Sequence, residues 1–135
     1  TAQRKIRTQK IDNITLKTAL ADDFSFDKTF DLKQKFNVLF FSYSISMIPS
    51  WKQAIWNALK NLETKKSFYI VDFYDQSDLP NWFSKILQGW LKQFHVKYPE
   101  DLIPFLKSLQ KDGLGKLSVK SIFRSYSFIA EFQKR

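Results

Sequence analysis

The sequence predicts an α/β fold built on a mostly parallel sheet, and three observations carry that reading. Phe36-Asn37-Val38-Leu39-Phe40-Phe41 is a nearly continuous apolar run of strand length, as expected of a strand buried on both faces. Ser67-Phe68-Tyr69-Ile70-Val71-Asp72-Phe73 is a second such run. Between them, Trp51, Ala54, Ile55, Ala58, Leu59 and Leu62 recur at the spacing of one helical face. Two buried strands joined by an amphipathic helix make a right-handed βαβ unit with parallel strands. Pro49-Ser50-Trp51 opens the helix, and Ser50 with Gln53 has the spacing of a capping box. In parallel sheets the ligand crevice lies beyond the carboxyl ends of the strands. Here that edge holds residues 42–47 and 72–75, so chemistry is expected there.

The flanking elements follow in order. Residues 1–10 carry Arg4, Lys5, Arg7 and Lys10 and read as a thinly packed helix or a basic arm. Residues 13–20 (NITLKTAL) alternate and are β-branched, the pattern of a strand with one polar face. Residues 21–26 form a polar loop with aromatic anchors, and 27–35 a charged, irregular or short helical connection. Asp78-Leu79-Pro80 opens a further helix, with Pro in the first turn, where its missing N–H costs nothing. Trp82, Ile86, Trp90 and Phe94 line one row of it. Another helix follows Tyr98-Pro99-Glu100-Asp101, with Leu102, Phe105, Leu106 and Leu109 inward and Pro104 near its start. Gly113-Leu114-Gly115 breaks the chain. Residues 116–123 and 125–133 then alternate as an antiparallel pair.

Composition sets the bounds. The 135 residues form one domain, large enough to bury roughly two thirds of the unfolded surface. With 44% hydrophobic and 17% aromatic residues the chain is not a disordered one. No cysteine is present, which excludes disulfides, thiolate catalysis and Cys-based metal sites, and the single histidine, His95, excludes a multi-histidine site. The net charge of +9 favours an anionic partner or simply a solvated surface. No apolar stretch approaches the ~20 residues of a membrane span and no signal peptide is visible, so a cytoplasmic or peripheral protein is expected. The chain begins at Thr1, not Met, as a fragment or processed product would.

The order of elements, with Ala21-Asp22-Asp23-Phe24, FNVLFFSYSISMIPSW, SFYIVDF and the closing strand pair, resembles the carboxyl-terminal two thirds of a class I S-adenosylmethionine-dependent methyltransferase. Within that family, FFSYSISMIPSW, VDFYDQSDLPNWF and WLKQFHV are similar to the N-methyltransferase of betaine-lipid synthesis, which trimethylates the amino group of diacylglyceryl-homoserine. The resemblance implies a Rossmann-like sheet, mostly parallel with a reversed last strand and lacking the first two strands. Two departures stand out. The family's glycine-rich first turn is missing: only Gly89, Gly113 and Gly115 are present, and Gly113-Leu114-Gly115 lies between helix and strand. Where the family usually has Pro-Gly-Gly before its fifth strand, this chain has Glu63-Thr64-Lys65-Lys66. This chain alone is therefore expected to bind the cofactor weakly or not at all and to be inactive.

Site roles follow from the resemblance. Asp23 would meet the adenine amino group with Phe24 beside it, unless Asp23 only caps a loop or the next helix. Ser42 and Tyr43 would border the methionine end of the cofactor, or form an ordinary strand-to-helix turn. Asp72, with Asp75, ends a buried strand at the ligand edge, where an ionised carboxylate needs a partner. It would hold the substrate ammonium or cap the next turn. His95 would act as base or as donor to a substrate carboxylate, or satisfy a helix end. No metal is implied. The Trp82, Trp90 and Phe94 row is core or an acyl-chain groove, and Lys85, Lys92 and Lys97 face solvent or an anionic bilayer.

Three functions are in play: methyl transfer to a lipid-linked amine, methyl transfer to a quinone or other small molecule, and a non-catalytic basic domain binding membrane or nucleic acid. No RNA-recognition signature supports nucleic acid. The incomplete sheet predicts exposed edges that pair with a second copy or with a complementing amino-terminal segment.

Overall fold

The computed structural model describes residues 12–73, 100–122 and 127–135. Four strands form one sheet in the order β1-β2-β4-β3: β1 (Phe36–Ser42), β2 (Leu62–Phe73), β3 (Gly115–Ile122) and β4 (Ser127–Lys134). β1 and β2 run parallel, while β4 runs antiparallel to both β2 and β3. The sheet is therefore mixed, with one reversed strand, as the sequence predicts.

Helix α1 (Trp51–Asn61) joins β1 to β2, and helix α2 (Leu102–Lys111) precedes β3. Their apolar stripes meet one face of the sheet. Ala54, Ile55, Ala58, Leu59, Leu102, Leu106 and Leu109 share a core with Phe41, Phe68, Ile70, Phe128, Ala130 and Phe132. Phe68 stacks on Phe132 at 5.3 Å between ring centroids, and Phe105 of α2 meets the Trp51 and Trp56 rings of α1 edge-on. Pro104 falls in the first turn of α2 and leaves the helix unbroken. Gly113 ends α2 in the left-handed conformation at φ 77°, with its N–H on the Gln110 carbonyl.

Four expectations need correction. β1 is not buried on both faces: Val38 and Phe40 are each 58% exposed. Among the described residues β1 is the outermost strand on its side of the sheet. Residues 13–20 form no strand and are exposed throughout. Alternation favours a strand only where a neighbouring ladder takes its N–H and C=O groups. Ser50 does not form a capping box, because its hydroxyl donates to Asp22 Oδ2 at 2.5 Å and makes no cap bond within α1. β2 starts at Leu62, not Ser67, and bulges at once: Phe36 pairs with Leu62, but Val38 pairs with Ser67.

The helix read at residues 78–97, with Trp82, Trp90 and Phe94, lies outside the described residues, as do Asp75 and His95. Among the described residues no helix is long and apolar enough to cross a membrane.

Candidate active site at the carboxyl ends of β1 and β2

Parallel pairing aligns the ends of the two central strands. Ser42, the last residue of β1, is in register with Val71, one residue before Asp72. The ladder continues one step further, since the Tyr43 N–H donates to the Val71 carbonyl at 2.7 Å. Tyr43 then turns the chain with φ 48°, a left-handed conformation that a side chain disfavours. Such strain persists only where the surroundings over-determine it, and it clusters at functional sites.

The surroundings here are well defined. Ile45, in a single 3₁₀ turn (Ile45–Met47), is buried in the core. Ser46, next to it, is held by Asp72: the Ser46 N–H donates to Asp72 Oδ2 and the Ser46 hydroxyl to Oδ1, each at 2.9 Å. Asp72 is 0% exposed, so this carboxylate exchanges water for those donors. Between these anchors and solvent stand Ser42, Tyr43 and Met47, all exposed.

Helix α1 begins at the same end of the sheet, because the loop from Ser42 leads into it. There the Asp22 carboxylate accepts from Ser50, placing a negative charge at the helix's positive end. Asp23 is exposed beside it, its N–H on the Leu20 carbonyl at 3.2 Å. Two asparagines draw the following residues along α1. Asn57 Nδ2 donates to the Phe24 carbonyl at 2.9 Å, and Asn61 Oδ1 accepts the Phe26 N–H at 3.1 Å.

The Phe24 ring consequently ends up elsewhere. It packs edge-on against Phe30 and Phe36, with centroids 6.4 and 5.9 Å away, and Phe36 is the first residue of β1. So Ser42, Tyr43 and Asp72 gather at one rim, whereas the Phe24 ring lies at the opposite end of the strands. Gly115 also lies there, in register with Lys134.

This architecture recurs among solved structures. An O-methyltransferase family protein from Burkholderia thailandensis superposes with a TM-score of 0.67 at 12% identity, over 98% of this chain and 40% of that one. The fold is a Rossmann-like methyltransferase fold. N-methyltransferase NodS from Bradyrhizobium japonicum WM9 gives 0.58 at 16% identity, over 97% of this chain and 68% of that one. A protein described as an rRNA methylase, from Clostridium thermocellum, gives 0.61 at 17% identity, over 98% and 67%. No family model and no curated protein matches the sequence. The chain thus spans 40% of the length of the Burkholderia methyltransferase.

Within the methyltransferase fold, sequence reasoning missed Ser46, Asp22, Asn57 and Asn61. A signal existed for Asn61, which sits three residues past Ala58 on the apolar stripe of α1 and is 3% exposed. A polar residue on a buried stripe needs partners, and those partners are the loop. Ser46 carried no comparable signal, because only the fold brings it to Asp72.

Proposed function

We propose that this chain is part of an S-adenosylmethionine-dependent methyltransferase that N-methylates a lipid-linked or small-molecule amine at the Ser42–Asp72 rim. The observation that carries the reading is the parallel pairing of β1 and β2, which puts a strained tyrosine and a hydrogen-bonded carboxylate at one strand end. When bound, the cofactor supplies a methyl group on a sulfonium. Ser42 and Tyr43, exposed at the rim, fit one side of such a group. Asp23, exposed near the start of α1, is the candidate for its adenine end, with Phe24 next to it in the chain.

Asp72 acts chiefly as a positioning residue. Both its oxygens accept from Ser46, so it fixes the turn that carries Tyr43 and Met47. Methyl transfer to nitrogen needs a deprotonated amine held in line, and positioning supplies most of the rate. A rim built by a buried strand end and a pinned turn serves that purpose. His95 remains the candidate base or carboxylate donor for the substrate. Lipid-linked amines follow from the sequence resemblance, with peripheral contact at a membrane. The apolar β1, outermost among the described strands, supports an assembly in which a second copy or a complementing amino-terminal segment pairs with it.

Equilibrium binding of S-adenosylmethionine tests the reading, with the chain alone and with a glycine-rich strand-turn-helix segment joined before Thr1. The joined protein is expected to bind and to transfer labelled methyl to diacylglyceryl-homoserine or a simpler amine. If it ignores the cofactor, the proposal fails. Transfer only to a non-amine acceptor such as a quinone would move the substrate class.

A further inference from the structure

The end of the sheet opposite the rim carries a feature that methyl transfer does not use. Between two paired positions, Phe36↔Leu62 and Val38↔Ser67, β1 has the single residue Asn37 whereas β2 has Glu63-Thr64-Lys65-Lys66. That bulged stretch of β2 is the one that departs from the resembled family. Lys65 sits in this bulge with φ 62°. Glycine adopts that conformation without penalty and lysine does not. The chain thus holds a lysine where backbone geometry alone favours glycine.

That lysine borders a recess of about 440 Å³ shared with Lys116 of β3, Lys134 of β4, Arg135, Gln110 and Gln133. Among the described residues, no Asp or Glu lines it. Two of its cations are held by backbone carbonyls, and the Arg135 guanidinium donates to that of Gly113 at 3.5 Å. The Lys134 ammonium donates to the Leu59 and Leu62 carbonyls at 2.8 and 2.9 Å, closing the end of α1. Gln110 is oriented by the Leu117 N–H, which donates to its Oε1 at 2.6 Å. Gly115 lets β3 start tight against β4, since a Cβ there would overlap the Gln133 carbonyl and the Phe132 ring. Burial first, then the charge of Lys35, hold Lys134 below the usual lysine range, against a smaller opposing pull from Glu63.

We infer that this recess, formed by Lys65, Lys116, Lys134 and Arg135, binds a phosphate group, carried by a soluble phosphate compound or by a lipid headgroup. Phosphate is compact and multiply charged, matching both the guanidinium fork and the point charges of lysines. The inference is independent of methyl transfer at the other end of the sheet.

Inorganic pyrophosphate titrated calorimetrically into the protein at low ionic strength tests it. Lys65→Gly and Lys116→Gln should each weaken binding by about tenfold, the scale of one lost charge-assisted contact. Lys52→Gln, on α1 beside Trp51, is the remote control and should leave binding unchanged. Lys65→Gly should also melt higher than the parent, which separates loss of the site from loss of the fold. Sedimentation with phosphatidylglycerol–phosphatidylcholine vesicles distinguishes the sources. Vesicle binding that weakens with Lys65→Gly and is competed by pyrophosphate assigns a headgroup, whereas pyrophosphate binding without vesicle binding assigns a soluble phosphate. Failure of the parent to bind pyrophosphate, or equal weakening by Lys52→Gln, overturns the inference.

Discussion

Asp72 accepts from both donors of Ser46, the N–H and the hydroxyl, one with each carboxylate oxygen and both at 2.9 Å. This pair ties the end of β2 to the turn that follows β1, and so sets the position of Tyr43. Ser46→Ala removes one contact to a carboxylate and should cost about 1.5 kcal/mol. Asp72→Ala strands the Ser46 N–H as well and should cost about 3 kcal/mol. Urea unfolding measures both. In a methyl-transferring form of the protein, Ser46→Ala should lower kcat with little change in amine KM. If only Asp72→Ala affects turnover and Ser46→Ala does not, Asp72 touches substrate directly.

Asn61 makes the loop of residues 21–26 part of the fold. It accepts the Phe26 N–H, and its amide donates to the Phe24 and Asn57 carbonyls, at 3.1 and 2.9 Å. Asn61→Ala should destabilise by about 2–3 kcal/mol, since it leaves buried backbone groups unpaired. The loss should be accompanied by faster amide exchange at Phe26. Exchange at Phe26 that stays slow would show that Phe24, Phe30 and Phe36 hold the loop without the asparagine.

Legibility in the sequence followed how local the determining interaction was. FNVLFF, the α1 stripe, SFYIVDF and the closing pair were readable, because apolar spacing reports which face each segment buries. Topology followed: a helical crossover forces β1 and β2 parallel, and Asp72 to the rim beside Ser42. The failures are all non-local. NITLKTAL has strand composition but, among the described residues, no neighbouring ladder, and the apolarity of Val38 disguised its exposure. Ser50 had two acceptable partners, and Asp22, 28 residues earlier, took it. The bulge at Lys65 was hidden by charge, because ETKK reads as a loop although Leu62 before it already pairs with Phe36.

Tyr69 and Glu131 give a pH signature on the face of the sheet away from the helices. The Tyr69 hydroxyl and the Ser67 hydroxyl both donate to Glu131 Oε1 at 2.9 Å. The bond to Glu131 is the main reason that the phenol titrates above its usual 10.0. A folded pKa above the unfolded one means that the contribution to stability is complete below 10.0 and disappears as pH rises through the folded value. In an ultraviolet titration one tyrosine should therefore ionise late. Tyr69→Phe should delete that component, and Glu131→Gln should shift it back towards the ordinary range. A late component surviving Tyr69→Phe would assign it to another tyrosine.

The exposed edge of β1 yields the last prediction. Phe36–Ser42 contains no charged residue and no proline, the usual guards against strand pairing between molecules. Val38 and Phe40 point to the same side of the sheet as Tyr69, whose ring lies 6.5 Å from that of Phe40. Val38→Lys places a charge at an exposed site of the single chain and should change its intrinsic stability by no more than about 0.5 kcal/mol. In an assembly that adds a strand to this edge, the same lysine is a charge on the pairing strand, the guard that disfavours such pairing. Light scattering is expected to show a concentration-dependent assembly for the parent and a monomer for Val38→Lys, with matched thermal melts at high dilution. A parent that stays monomeric at every concentration removes self-association, and leaves a complementing strand as the occupant of the edge.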